Sequence, residues 1–228
     1  MKLQTPLSLL AALSVSAVLR ISAAPDATSV SQRWTPEQAW VWYKKQPWIV
    51  GFNYVPSTAA NTTEFWSAET FDEKTIDREL GWGAGLGFNS CRVFVQYLVW
   101  KHEPAGLKRR LDKFLALAHQ HGLTTTPVLF DDCAFGDPPL TEPHLGKQRE
   151  PIPGMILPSW TPSPGHETLA SQQHLRPVIN TEWMARPTGS QWETDLPLFK
   201  QEAVGCYNWG LVNGRTQCQF AWYHKRGT

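Results

Sequence analysis

The chain has no excess of charge of either sign: 21 Lys and Arg stand against 20 Asp and Glu over 228 residues, a formal net charge of +1. A nucleic-acid backbone is gripped by clustered cations, and no Lys/Arg-rich block occurs here, so nucleic acid is excluded as an expected partner. There is no Gly-x-Ser-x-Gly elbow and no phosphate-binding loop. The one glycine-rich stretch, Gly81 to Gly87, follows a helical pattern and precedes a strand, the reverse of a dinucleotide-binding order. Histidine is sparse and scattered, with seven in all, and His119 and His121 lie two apart on a predicted helix, where they face different ways. No metal and no cofactor are expected. Long apolar runs are also missing after the first twenty residues, which leaves no candidate membrane span in the body of the chain.

What is present begins with an export signal. Met1-Lys2 gives a positive start, Leu7 to Leu19 is almost wholly apolar, and Ser22-Ala23-Ala24 offers small residues for cleavage. The run is shorter than the ~20 residues a bilayer requires, so residues 1–24 read as a signal peptide and 25–228 as a single domain. The expected location is secreted, extracellular or periplasmic, and the expected state a monomer with no membrane attachment after cleavage. In such a compartment Cys91, Cys133, Cys206 and Cys218 could pair in any of three ways. Three of them sit in or beside apolar runs, so buried free thiols are an equal reading. Asn61-Thr62-Thr63 is a glycosylation sequon.

Periodicity then alternates between strand and helix. "WTPEQAWVWYKKQPW" opens with Thr35 as N-cap and Pro36 in the first turn, and Trp40 and Trp42 are expected to pack inward. "WIVGFNYVPS" reads as a buried strand, "TFDEKTIDRELGWGAGLG" as a helix from about Asp72 that its glycines end, and "NSCRVFVQYLVW" as a second strand. Leu107, Leu111, Phe114, Leu115 and Ala118 mark one face of a helix that Gly122 ends. "TTTPVLFDD" is a third strand. From Cys133 to Gly165 the chain is rich in Pro and Gly and has no period. After that, "RPVINTEW" reads as a strand, "TDLPLFKQEAVG" as a helix and "CYNWGLVNG" as a last strand. Strand and helix in alternation with short connections predict a parallel sheet with helices outside it.

The segment "RPVINTEWMARPTGS" places a single carboxylate, Glu182, at a strand end beside Trp183. Together with "WYKKQPWIVGFNYVPSTAANTTEFWSAETFDEKTIDRELGW", "GFNSCRVFVQYLVW", "FLALAHQHGLTTTPVLFDDC" and "VGCYNWGLVNGRTQ", it resembles the cellulase-like and 1,4-β-xylanase-type glycoside hydrolases of the (β/α)8-barrel clan. The resemblance implies an α/β fold of TIM-barrel type with its site at the carboxyl ends of the strands. It implies that Glu182 is the catalytic nucleophile, that Arg92 is a site arginine, and that Trp209 floors a sugar subsite. Asn53, Trp183 and Asp132 join Arg92 and Trp209 as implied substrate contacts. The implied partner is a β-linked polysaccharide or oligosaccharide of cellulose, xylan or mannan type.

A retaining glycosidase needs a nucleophilic carboxylate and a second carboxyl about 5 to 5.5 Å away that protonates the leaving oxygen and later activates water. In the clan that second group lies in an Asn-Glu-Pro sequence on the fourth strand, and this chain contains none. His102-Glu103-Pro104 lies after the second strand, and Glu142-Pro143 lies in the irregular loop. Between Gly165 and Arg176 stand ten residues, where strands four to six with their helices would need about 90 at roughly 30 residues per βαβ unit. The expected architecture is an incomplete barrel with strands 1–3 and 7–8 recognisable and 4–6 missing. Asp131 and Asp132 end the third strand and could stand in for the acid, although loop capping is the plainer role. Three outcomes follow: a hydrolase impaired by truncation, a carbohydrate-binding remnant using Trp209, Trp183 and Arg92, or an unstable fragment.

Overall fold

Five strands of four or five residues form one parallel sheet in a computed structural model that describes residues 33–129, 145–148, 176–184 and 189–216. They are β1 (Val50–Asn53), β2 (Ser90–Phe94), β3 (Thr124–Val128), β4 (Ile179–Trp183) and β5 (Gly205–Asn208). Their spatial order is β3-β2-β1-β5-β4, and every neighbouring pair is parallel. Parallel neighbours need crossover connections, and helices supply them. While α1 (Pro36–Lys44) precedes β1, α2 (Thr62–Trp66) and α3 (Glu73–Gly85) join β1 to β2, α4 (Tyr97–His102) and α5 (Pro104–Gln120) join β2 to β3, and α6 (Trp192–Gln201) joins β4 to β5. Because all five strands run the same way, their carboxyl ends line one edge of the sheet.

The period-two alternation of a strand decides which side chains meet the helices. On β2, Cys91 and Val93 enter a core with Phe52, Ile76, Leu80, Phe114, Leu117 and Ala118 from β1, α3 and α5. A smaller cluster joins Trp183, Phe199, Val204 and Cys206, with Trp192 packed against it. The opposite face is polar and aromatic. There Tyr207 Oη lies 2.8 Å from Ser90 Oγ and 2.9 Å from Thr126 Oγ1, tying β5 to β2 and β3 across the intervening β1. This crossing requires Gly51 on β1: a Cβ there would stand 2.5 Å from the Tyr207 ring and 2.7 Å from the Ser90 carbonyl oxygen.

Local chemistry accounts for the helix starts. Asp72 caps α3, its Oδ1 accepting from Thr75 N at 3.1 Å. Burial of Asp72 would raise its pKa, but the hydrogen bonds from the Thr75 hydroxyl and backbone outweigh it and leave the group below its ordinary value. Pro104 takes the first turn of α5, where its missing N–H is no loss. Glu103, in the His-Glu-Pro sequence, pairs with Arg110 Nη2 at 2.9 Å and accepts from Ala68 N, so its work is to anchor this helix.

Three expectations need correction. "NSCRVFVQYLVW" is not one strand: β2 stops at Phe94, and Gln96 Oε1 accepts from Leu98 N at 3.0 Å to start α4. The five-residue helix α2, capped by Asn61, was not anticipated at all. On α1 the buried residue is Tyr43, whereas Trp42 is exposed. Cys91 and Cys206 are buried free thiols in the two core clusters. The signal peptide, Asp131, Asp132, Cys133, Glu142, Cys218 and the junction between Gly165 and Arg176 lie outside the described residues. The α/β class holds, with a five-stranded parallel sheet and helices.

Candidate active site

The site is built at the carboxyl edge by residues on β1, β2 and β4 and one just beyond β5. Asn53, the last residue of β1, is in register with Arg92 on β2. Arg92 Nη1 donates to Asn53 Oδ1 at 2.8 Å and to Glu182 Oε1 at 2.8 Å. The Asn53 amide nitrogen in turn donates to the Thr181 carbonyl at 2.9 Å, and lies 3.5 and 3.4 Å from the carbonyls of Tyr207 and Asn208. Asn53 is buried and therefore acts beneath the surface, fixing Arg92 and the backbone just ahead of Glu182.

A bulge aims Glu182. Asn180 pairs with Cys206 but Trp183 with Asn208, so three steps on β4 oppose two on β5. An extra residue of this kind bends the strand and turns a side chain out of the regular alternation. The Glu182 amide, displaced from the ladder, donates to Asn180 Oδ1 at 3.2 Å. Just beyond, Met184 takes a left-handed backbone with φ 85°, unusual for a side chain with a Cβ. Its N–H donates to Ser190 Oγ at 3.2 Å, and that hydroxyl donates to the buried Asp195 Oδ2 at 2.6 Å. Asp195 belongs to α6, so the backbone at Met184 is tied to a helix through Ser190.

The second carboxylate oxygen, Oε2, accepts from Trp209 Nε1 at 3.2 Å. The Trp209 ring stacks on Phe94 with centroids 5.7 Å apart and planes 14° from parallel. The Arg92 guanidinium stands 4.5 Å from the centroid of the same Phe94 ring. Phe94 thus fixes both groups that hold the carboxylate. The Arg92 and Glu182 side chains are 12% and 22% exposed, shielded but open to a ligand. Trp209 also lines a small hollow together with Asn53, Tyr54, Gly210 and Leu211.

The structure therefore brings together Glu182, Arg92, Asn53 and Trp209. It does not bring Trp183 with them: next to Glu182 in sequence, Trp183 points to the helix side, 8% exposed, with Trp192 at 4.7 Å and Phe199 at 5.4 Å between centroids. A sugar contact there is corrected to a packing role. Asp132 lies outside the described residues. Phe94 was missed, although its place two residues after Arg92 on one strand puts both on one face. Among the described residues, the Glu182 side chain hydrogen-bonds to Arg92 and Trp209, with no carboxyl partner. No group of three or more potential metal ligands occurs among the described residues.

No family model matches the chain, and no curated protein matches it. Among solved structures, an exo-beta-1,4-mannosidase from Opitutaceae bacterium strain TAV5 is similar at 32% identity over 36% of this chain and 14% of that one, with a TM-score of 0.33. The chain thus spans a small fraction of that mannosidase.

Proposed function

We propose that this protein carries the nucleophile half of a retaining glycoside hydrolase site, acting on a β-linked polysaccharide and exported from the cell. One observation carries the reading: a strand-end carboxylate with one oxygen on an arginine and the other on an indole N–H, at the carboxyl edge of a parallel sheet. Arg92 and Trp209 orient Glu182, so that an oxygen can approach the anomeric carbon of a sugar lying against them. A bond forms from that oxygen to the anomeric carbon as the glycosidic bond breaks, its electron pair leaving with the aglycone. The strand order supports the same reading, since strands 3, 2, 1, 8 and 7 of an eight-stranded barrel would stand in this sequence.

The acid that protonates a sugar leaving group is the part the described site does not supply. A glycoside whose leaving group needs no proton separates the two halves of the chemistry. With a 2,4-dinitrophenyl glycoside, the full chain should release one equivalent of dinitrophenolate and gain one glycosyl mass on Glu182, while unactivated oligosaccharides turn over slowly or not at all. Glu182→Gln should abolish the adduct. An adduct that persists in the variant, or forms on another residue, would sink the nucleophile assignment. The same missing partner favours a second reading, a binding remnant, which predicts oligosaccharide binding dependent on Trp209 with no adduct from any glycoside.

A further inference from the structure

Beyond the carboxylate, the same edge of the sheet carries two large aromatic side chains that are open to solvent. Tyr97 is 60% and Trp100 44% exposed, and both lie on α4, the two-turn helix that begins three residues after Phe94. At i and i+3 they are neighbours on one helix surface. The helix itself is rigidly seated. Val99 is wholly buried in the main core, and the buried Gln96 caps the first turn while its amide reaches Thr62 Oγ1 at 3.4 Å. Glu103 N donates to the Val99 carbonyl at 2.9 Å, closing the last turn directly onto α5. Lys108 Nζ stands 5.4 Å from the Trp100 ring centroid, adding a hydrogen-bond donor beside the ring.

Other exposed aromatics are placed differently. Trp42 lies on α1, which leads into the amino end of β1, and Trp82 lies late in α3, which leads into the amino end of β2. Tyr97 and Trp100 follow the carboxyl end of β2, the edge that holds Glu182. From β2 to β4 there are three strand spacings, about 14 Å along the sheet at ~4.8 Å each. Trp209, which follows β5, stands between them and stacks on Phe94 at the end of β2.

We propose that Tyr97 and Trp100 form a remote carbohydrate platform, which binds a neutral β-linked glycan several units away from the sugar at Glu182. This rests on the reading of Glu182 and Trp209 as a sugar site and adds to it that the ligand is a chain rather than a mono- or disaccharide. Aromatic faces suit the C–H faces of pyranose rings, and a preset pair costs little ordering on binding. A platform linked to the first site through the glycan itself raises affinity without new contacts at the carboxylate.

The test is calorimetric titration of the full-length protein with β-1,4-linked manno-, xylo- and gluco-oligosaccharides of two and six units. For the glycan that binds, the hexamer should bind at least about tenfold more tightly than the dimer, and a Tyr97→Ala/Trp100→Ala double variant should bring the hexamer close to the dimer. Circular dichroism and a thermal melt of the variant establish that it is folded, and Trp209→Ala should weaken both lengths. Trp209-dependent binding that gains nothing from length, or a gain the double variant keeps, overturns the platform and leaves the carboxylate site standing. Binding of neither length overturns both. Self-association that the double variant suppresses, without sugar binding, would assign the face to a second copy of the chain and also overturn the proposal.

Discussion

Glu182 owes its orientation to groups that are themselves held, which makes the consequences of single substitutions specific. Arg92→Met leaves both Glu182 Oε1 and Asn53 Oδ1 without their donor. Hydrogen bonds to charged groups contribute about 1.5 to 3 kcal/mol, so the rate of Glu182 glycosylation by an activated glycoside should fall by roughly tenfold or more, read from the dinitrophenolate burst. Gly51→Ala tests the crossing of Tyr207 over β1: a methyl 2.7 Å from a backbone oxygen cannot be absorbed by rotating a side chain alone. Overpacking of this kind costs typically about 1 to 3 kcal/mol, to be read as a lower urea midpoint at constant slope. At this scale the resemblance of their segments implied Glu182, Arg92 and Trp209 together, and the three side chains do meet through hydrogen bonds. The fate of Trp183 follows the strand alternation and was open to the same reasoning. The bulge that re-aims Glu182 was not, because an extra residue in one strand is defined only against its partner.

Helices and strands differed in how plainly the sequence announced them. The start of α3 near Asp72 and most of the apolar stripe of α5 were readable because each depends on residues within a few positions, although Leu115 is exposed and Leu117 is buried in the core instead. α4 was not, since Val, Tyr, Leu and Trp in succession carry a strand propensity that the Gln96 cap and the packing of Val99 override. Asp72→Ala should cost about 1 kcal/mol, the usual worth of an N-cap, measured by chemical denaturation. The relay from Asp195 through Ser190 to Met184 makes a different prediction. Ser190→Ala leaves Asp195 without this hydroxyl and Met184 N–H without its acceptor, so stability should drop by about 1 to 3 kcal/mol. Glycosylation of Glu182 should slow with it, and Ser190→Thr, which restores a hydroxyl, should recover both.

For the molecule as a whole, the two buried cysteines report on the integrity of the sheet. Burial pushes the Cys91 thiol up to about 11 and the Cys206 thiol to about 12 from an ordinary 9.0. Both should resist alkylation at pH 8 in the native state and react on unfolding, with peptide mass spectrometry reading each site separately. The sign of the pH effect follows from the raised folded values. Their contribution to stability is full below about pH 9 and declines as pH rises toward 11 to 12. The parallel α/β class was legible from the alternation of elements, whereas the contents of the Pro/Gly-rich stretch had no period to read.

The placement of β1 between β2 and β5 also orders events in time. During synthesis β1, β2 and β3 are complete long before β5 exists, and β1 waits with one ladder unpaired and aggregation-prone. Trp48 Nε1, which donates to the Val204 carbonyl at 2.8 Å, waits with it. Long-range pairing of this sort slows folding. The nascent chain therefore presents the Arg92 cation first and the Glu182 carboxylate among the last parts to arrive, and the strands that finish the sheet are the ones that finish the site.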